Sequence, residues 1–165
     1  MKKFFELIAA IVVCQLAGIL GSIFTSQTVS SWYVELTKPS FTPPDAVFGP
    51  VWITLYTLMG IALWLVWQKR DVKKWFLFTG KNKVANTGLV LFLIQLLMNI
   101  LWSIMFFGLE NPWAGFIVIV ELLIFIVLTI IWFWRVNKLA SILLWPYLAW
   151  VSFATALNLM IALLN

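Results

Sequence analysis

The stretch WYVELTKPSFTPPDAVFGPVWITLYTLMG, residues 32–60, determines how the rest of the chain can be arranged. Its first part is polar and holds Pro39, Pro43 and Pro44, and its second part runs through Pro50 into an apolar segment. Proline fixes its own φ and pushes the preceding residue into extended geometry. The sequence therefore predicts a stiff connection that leads directly into an apolar helix.

The composition is that of an integral membrane protein. The chain has 165 residues, of which 64% are hydrophobic and 10% are charged, whereas about a quarter of a soluble domain is charged. A membrane-spanning helix needs about 20 predominantly apolar residues. We therefore predict an all-α membrane protein, a single five-transmembrane-helix bundle over residues 1–165. Its spans are 5–26, 47–68, 86–107, 113–134 and 142–164.

The distribution of positive charge predicts the orientation of this bundle. The net charge is +5, and with a cytoplasmic N-terminus every basic residue except Lys38 falls on the cytoplasmic side, as the positive-inside rule expects. The C-terminus is then outside, and the charge requires no nucleic-acid partner. The basic cluster at 69–83 could also contact anionic lipid, although topology alone accounts for it.

Several kinds of site are excluded by residue usage. Histidine is absent and Cys14 is the single cysteine, so the chain has no internal disulfide, no His-containing triad and no metal site of the commonest kind. The N-terminal apolar run resembles a signal peptide. It is longer than an h-region and no A-x-A site follows it, so we predict that it is retained as the first span.

The connection and the second span are unusually rich in rigid and aromatic residues. Trp32, Tyr33 and Phe41 lie in the connection at 27–46, which we interpret as a lid over a pocket; an aromatic belt at the interface is the alternative. The second span should begin near Ala46, with Asp45 as its cap. Its aromatic residues recur every four positions and so share one face: Trp52, Tyr56 and Trp64, with Gly60 as a notch between them.

Three other spans carry residues that allow both a structural and a functional interpretation. Small residues recur in the first span at Ala10, Cys14, Gly18 and Ser22, which suits helix packing, a ligand-accommodating face or a dimer face. The third span has a polar stripe, Gln95, Asn99 and Ser103, beside Trp102, and the fifth aligns Trp150, Ala154 and Asn158. These polar side chains either bond between helices or orient a ligand, and Trp150 above Ala154 either packs or leaves space for a flat ligand.

Glu121 is the only acid deep within a span. An ionised side chain is costly there, which makes any such residue a candidate functional group. Proton transport usually uses several such groups, so for this single residue we expect a structural hydrogen bond to another helix.

Two segments resemble the signature stretches of the tryptophan-rich sensory protein family, whose animal relatives are called translocator protein or peripheral benzodiazepine receptor. They are FGPVWITLYTLMGIALWLVW (48–67) and PYLAWVSFATALN (146–158). KPSFTPP (38–44), NILW (99–102) and the acid in the fourth span also match. The resemblance covers nearly the whole chain and identifies it as a bacterial member of the family, in the cell membrane.

The resemblance implies a five-helix membrane bundle, usually a homodimer, that binds porphyrins, above all protoporphyrin IX, as ligand rather than cofactor. Isoquinoline and benzodiazepine-like molecules and cholesterol are further ligands of animal members. The chain lacks the tyrosine-then-arginine cholesterol motif beyond its fifth span, so sterol recognition is not expected. The ligand-binding positions implied are Trp32, Tyr33, Pro43, Trp52, Tyr56, Asn99, Trp102, Trp150 and Ala154.

Three functions remain open at this point. The first is binding and sensing of a tetrapyrrole, whose flat apolar face suits aromatic side chains and whose propionate could meet Lys38. The second is light- and oxygen-dependent porphyrin breakdown, which the resemblance attributes to the catalytic pair Trp52 and Trp150. The third is transport of a porphyrin or small solute. Alternating access commonly relies on internal repeats, and these five spans have none, which disfavours transport. We favour binding.

Overall fold

The structure, a computed structural model, describes residues 1–70 and 80–165, without the side chains of residues 80–82. Throughout these residues the regular elements are helices: α1 (Lys2–Thr28), α2 (Trp32–Glu35), α3 (Asp45–Trp67), α4 (Gly80–Ser103), a π-helical turn (Ile104–Gly108), α5 (Pro112–Val136), α6 (Lys138–Ile142) and α7 (Trp145–Leu164). Most of the basic segment 69–83, including Lys73 and Lys74, lies outside the described residues.

Five helical segments of the described chain are long and apolar enough to cross a membrane. They are Lys2–Thr28, Asp45–Trp67, Lys83–Gly108, Pro112–Val136 and Lys138–Leu164. This confirms the predicted all-α architecture with five spans. The direction in which the bundle crosses the membrane stays a prediction from charge. Here "inner" denotes the end that carries both Lys2 and Arg70, and "outer" denotes the opposite end.

The connection from α1 to α3 contains one short helix and then extended chain. Leu36 and Pro44 both have extended backbone, with ψ of 141° in each, and the ring of Pro44 fixes its φ at −58°. The predicted cap at Asp45 is wrong. Helix α3 begins at Asp45 itself, after Pro44, and no side chain caps it. Asp45 instead places a carboxylate in the first turn, where the helix dipole favours negative charge.

The inner and outer ends of the later helices are set by asparagine caps. The Asn111 side chain accepts a hydrogen bond from the Ala114 amide at the start of α5, and the Asn137 side chain accepts from Leu139 and Ala140 at the start of α6. Helices α6 and α7 meet at Leu143 and Leu144. The fifth span, Lys138–Leu164, is therefore a short helix followed by a longer one, and the predicted span at 142–164 corresponds mainly to the longer helix.

The helices pack in a bundle in which α4 lies along α5, α1 along α3, and α5 against α7. In the core, the rings of Phe92 and Phe133 stack 5.7 Å apart with 8° between their planes. Helices α1 and α3 approach closely at Gly60, where a Cβ would lie 2.5 Å from the Cα of Ile11. Only a residue without a side chain permits this approach.

Glu121 lies on the face of α5 that points away from the bundle, and it is exposed. Its carboxyl forms no hydrogen bond with any residue that the structure describes. The expectation that it bonds to another helix of the same chain is therefore wrong, because the residue points away from the bundle rather than into it.

Candidate functional site

A cavity of about 460 Å³ lies in the outer half of the bundle. Helices α1, α3, α4 and α7 form its walls, and α2 and the π-helical turn close its outer end. Seven of the nine predicted ligand-binding residues line it: Tyr33, Trp52, Tyr56, Asn99, Trp102, Trp150 and Ala154. Residues from three separate spans and from the connection thus converge on one space.

The α3 wall consists of Trp52 and Tyr56, which are one helical turn apart. Their rings stack 5.6 Å apart at 28°, and the ring of Trp102 in α4 lies 6.5 Å from Trp52. Tyr56 is seated over Gly18 of α1, where a Cβ would come within 2.4 Å of the tyrosine ring. The period of four residues predicted in the sequence is what brings these rings to one wall.

The floor of the cavity is a buried hydrogen-bonded chain across three helices. The Tyr56 hydroxyl donates to Oδ1 of Asn99 at 2.5 Å, and Nδ2 of Asn99 donates to the hydroxyl of Tyr147 at 3.0 Å. All three residues are buried. Of the two readings of the polar stripe, the structure supports helix-to-helix bonding at Asn99, because two phenols engage both ends of its amide.

A second polar pair fixes the wall between α4 and α7. Nε1 of Trp102 donates to Oδ1 of Asn158 at 3.0 Å, and Nδ2 of Asn158 donates to the carbonyl of Pro112 at 2.8 Å. The Trp102 ring also stacks on Phe106 at 5.7 Å and 27°. These contacts hold the indole of Trp102 in one orientation at the cavity wall.

Trp150 lines the cavity from α7. Its ring packs edge-on against Phe48 at 5.7 Å and tilts against Phe153 at the same distance. Its Nε1 is buried and has no hydrogen-bond acceptor among the described residues. A buried donor without a partner costs about 1–3 kcal/mol, so Trp150, which lines the cavity, carries an N–H group that is unused among the described residues.

The connection between α1 and α3 covers the outer end of the cavity, and we call residues 29–44 the lid. Tyr33 is 6% exposed and its ring lies 5.6 Å from that of Phe107. Burial, and secondarily the Asp45 carboxylate, raise the pKa of the Tyr33 hydroxyl. The side chain of Asn165 bonds to both backbone groups of Thr37, at 2.9 Å and 3.1 Å, which fastens the lid to the end of α7.

Two predicted ligand-binding residues do not line the cavity. Trp32 is half-buried and packs on Phe106 with ring centroids 5.6 Å apart, while Pro43 lies in the extended part of the lid. Lys38 places its Nζ 4.4 Å from the centroid of the Tyr33 ring rather than in the cavity. Their contact with a ligand stays a prediction.

Helix α1 contributes more to the site than the sequence indicated. Gln15, Gly18, Ile19, Ser22 and Thr25 all line the cavity. Nε2 of Gln15 donates to the carbonyl of Ile53 at 2.9 Å and to the hydroxyl of Thr57 at 3.0 Å, which joins α1 to α3 at the edge of the cavity. The small-residue stripe thus serves both readings: Cys14 is buried in packing and Ser22 borders the cavity.

Tyr147 and Phe106 were also missed. Tyr147 is three residues before Trp150 and seven before Ala154, so the helical period places it on their face, and this spacing could have found it. Phe106 lies in the π-helical turn, which no pattern in the sequence indicates. Across the described residues, no group of three or more cysteine and acidic side chains could hold a metal ion.

Comparison with known proteins gives one consistent result. Residues 10–164 match the TspO/MBR family. The chain is 45% identical over 160 residues to Tryptophan-rich protein TspO of Archaeoglobus fulgidus, covering 97% of each chain. It is 46% identical over 168 residues to the protein of the same name from Chlorobaculum tepidum, covering 99% of this chain and 98% of the relative. With the Translocator protein of Homo sapiens it shares 39% identity over 144 residues, or 84% and 78% of the two chains.

Proposed function

The chain belongs to the TspO/MBR family of integral membrane proteins, and we propose that it binds a porphyrin-type tetrapyrrole, with protoporphyrin IX as the reference ligand, in the cavity beneath the lid. The observation that carries this proposal is the convergence of three indole rings on one largely apolar space: those of Trp52, Trp102 and Trp150. Its volume of about 460 Å³ is within the range of about 300–1,000 Å³ typical of small-molecule sites.

The shape of the walls suits a flat aromatic ligand. Trp52 and Trp150 face the cavity from α3 and α7, and Ala154 leaves space beside the Trp150 ring. Each aromatic contact with such a ligand contributes about 0.5–1.5 kcal/mol beyond the burial of area. Smaller aromatic molecules of the isoquinoline or benzodiazepine type would compete for the same walls.

The polar groups of the cavity suit a ligand that has a few acceptors at its edge. If the ligand turns the Trp150 indole on entry, its Nε1, which has no partner among the described residues, can donate to a pyrrole nitrogen or a carboxylate. Since the chain contains no histidine, a metal-free macrocycle is a more suitable ligand than one held by an imidazole on its metal. Lys38 lies in the lid, where a propionate that emerged from the cavity could reach it.

The closed floor favours binding over passage. The lining of the cavity ends at Gln15, Tyr56 and Asn99, and no described residue of the inner ends of the helices contributes to it. A transported solute would have to break the bonds from Asn99 to Tyr56 and Tyr147. Transport is therefore not part of the proposal.

Quenching of tryptophan fluorescence by metal-free protoporphyrin IX tests the proposal. Each of the variants Trp52→Phe and Trp150→Phe should weaken binding by about 2- to 10-fold, in line with the loss of one indole contact. Trp134→Phe is the matched control, because Trp134 is an exposed indole at the inner end of α5. Equal dissociation constants for the wild type and all three variants would contradict the proposal.

A second candidate activity is light-dependent oxidation of the bound porphyrin, with molecular oxygen as the oxidant. It is favoured by the run of oxidisable rings from Tyr56 through Trp52 to Trp102, with neighbouring centroids 5.6 Å and 6.5 Å apart. Porphyrin absorbance under illumination should then decay more slowly in Trp52→Phe and Trp150→Phe at saturating protein. Equal decay in the wild type, both variants and a protein-free control would eliminate it.

A homodimer is the assembly that the family resemblance implies for this chain. Glu121 is exposed on the face of α5 that points away from the bundle. An ionised carboxylate there would be costly against lipid. A second copy covering that face would relieve the cost. Crosslinking in native membranes, with the surface of α5 as the site of the crosslinker, tests this part of the proposal.

A further inference from the structure

A second recess lies at the inner end of the molecule, on the side opposite to the lid. It is formed by the first residues of α1 and the last residues of α3 and has a volume of about 200 Å³. We call it the inner cleft, and its lining residues are Lys2, Lys3, Glu6, Trp67, Gln68 and Arg70. It shares no residue with the cavity, so whatever it binds is separate from the proposed porphyrin ligand.

The inner cleft carries an excess of positive charge. Among the described residues that line it are three cations, Lys2, Lys3 and Arg70, and one carboxylate, that of Glu6. That carboxylate accepts a hydrogen bond from Nε2 of Gln68 and forms no ion pair with a cation within the described parts of the chain. Within residues 1–70 and 80–165, the cations of the cleft therefore have no carboxylate partner.

The guanidinium of Arg70 has a hydrogen-bond donor without an acceptor among the described residues. It lies 3.8 Å from the centroid of the Trp67 ring, which orients the planar group. Its Nε is buried and has no acceptor among the described residues, and burial lowers the pKa of Arg70. An anion in the cleft would accept from the guanidinium and offset the cost of burying the charge, since guanidinium and phosphate oxygens match in geometry.

The surroundings of the inner cleft are those of a membrane interface. Trp67 is at the end of a spanning helix and is 40% exposed, a position that tryptophan prefers at the headgroup level. Phe4 and Phe5 follow the two lysines directly and are 63% and 66% exposed. Cations next to exposed apolar rings suit a ligand whose charged head continues into an acyl chain, rather than a free ion in solution.

We propose that the inner cleft binds the phosphate of an anionic phospholipid headgroup, with Arg70 as the oriented donor and Lys2 and Lys3 as the accompanying cations. The acyl chains of that lipid lie against Phe4 and Phe5. Basic recesses between spanning helices at the cytoplasmic side are suited to such headgroups. The positive-inside prediction places this end of the bundle on the cytoplasmic side.

Native mass spectrometry of the protein released from mixed phosphatidylcholine and phosphatidylglycerol nanodiscs tests this proposal. The wild type should retain phosphatidylglycerol in preference to phosphatidylcholine. Arg70→Gln should reduce that preference about fivefold, as expected for loss of one basic residue near a phosphate. Glu6→Gln should change it in the opposite direction, because it removes the negative charge that Glu6 contributes to the lining of the cleft.

The control for general charge at the inner end is Arg135→Gln. Arg135 lies 5.0 Å from the Trp132 ring, so it resembles Arg70 in chemistry, but it does not line the inner cleft. This variant should retain as much phosphatidylglycerol as the wild type. An equal loss in Arg135→Gln and Arg70→Gln would overturn the proposal, since it would indicate only diffuse attraction.

The experiment also includes a competition with inorganic phosphate and a replacement variant. Millimolar inorganic phosphate should leave the retained lipid in place; displacement at that concentration would identify a site for free phosphate and overturn the assignment to lipid. If Arg70→Gln does not fold, as judged by circular dichroism, the double variant Lys2→Gln, Lys3→Gln replaces it. Unchanged lipid preference in that folded variant would also overturn the proposal.

Discussion

Helices α1 and α3 behave differently in their inner and outer halves. In the inner half they touch, with Gly60 against the backbone of Ile11. In the outer half the same two helices border the cavity, and their residues there include Ser22 and Trp52. The two helices are thus in close contact in the inner half and border a cavity in the outer half.

Small residues and large aromatic residues have opposite roles along this pair of helices. Glycine in the inner half removes volume so that backbones can meet, as helix association in lipid requires. Tryptophan and tyrosine in the outer half are held by hydrogen bonds and ring contacts, so that they line a space instead of filling it. The inner half should therefore control stability, and the outer half should control ligand affinity.

The largest effect should come from closing the contact in the inner half with Gly60→Val. The new Cβ would meet the backbone of Ile11, which cannot move aside as a flexible side chain can. We expect the free energy of unfolding to fall by about 3 kcal/mol, at the upper end for overpacking. Thermal unfolding in detergent measures the change.

Gly49→Ala is the control for this variant, because a Cβ at Gly49 of the same helix would meet nothing within 4 Å. It should leave stability unchanged or raise it by up to about 1 kcal/mol through helix propensity. Equal losses in both variants would refute the distinction between the halves.

The next effect should come from the floor, where the two halves meet. Asn99→Leu leaves the hydroxyls of Tyr56 and Tyr147 without their shared partner in a buried position. We expect a loss of about 2 kcal/mol in unfolding free energy together with weaker porphyrin binding. Thr54→Val should change stability by less than about 0.5 kcal/mol, since Thr54 is exposed and bonds only within its own helix.

If Asn99→Leu is as stable as Thr54→Val, the floor is not a structural element, and the polar stripe would have to be reassigned to ligand contact.

A smaller effect is expected at the lid. Asn165→Ala removes both hydrogen bonds to Thr37 and one to the carbonyl of Ile161 within α7, while Asn165 itself does not line the cavity. Each bond is worth about 0.5–1.5 kcal/mol, so porphyrin should dissociate faster by about fivefold in stopped-flow measurements, with little change in thermal stability. An unchanged dissociation rate would show that ligand exchange does not require the lid to leave α7.

The smallest effect concerns alkaline pH. Because the pKa of Tyr33 is raised, the folded protein keeps this proton while the unfolded chain loses it above about pH 10. Stability from this group is therefore present below that pH and declines as the pH rises further. Tyr33→Phe should flatten this decline in pH-dependent unfolding, and an unchanged profile would contradict the burial of Tyr33 under the lid.

Much of the site could be predicted from sequence because helical period carries it. Trp52 and Tyr56, or Trp150 and Ala154, are one turn apart, and a turn is enough to place both on one face. Which face turns inward is a different matter. Glu121 was expected to bond within the bundle and is exposed, because a single polar residue in an apolar span does not determine the rotation of its helix.

The remaining misses arise from contacts between distant segments. Gln15 reaches Ile53 and Thr57 across α1 and α3, and Asn165 reaches Thr37 across the whole chain. Asp45 was expected to precede α3, but the helix extends to include it, since Pro44 sets the boundary one residue earlier. Such details depend on the register between elements, which periodicity within one element does not contain.

The central claim is that the cavity in the outer half is the ligand site, and filling it is the most direct test. Ala154→Phe puts a ring into the space beside Trp150, whereas Ala156→Phe adds the same ring to the same helix on its exposed surface. Titration with metal-free protoporphyrin IX should show binding weakened at least about tenfold in Ala154→Phe and wild-type affinity in Ala156→Phe. Wild-type affinity in Ala154→Phe would contradict the account.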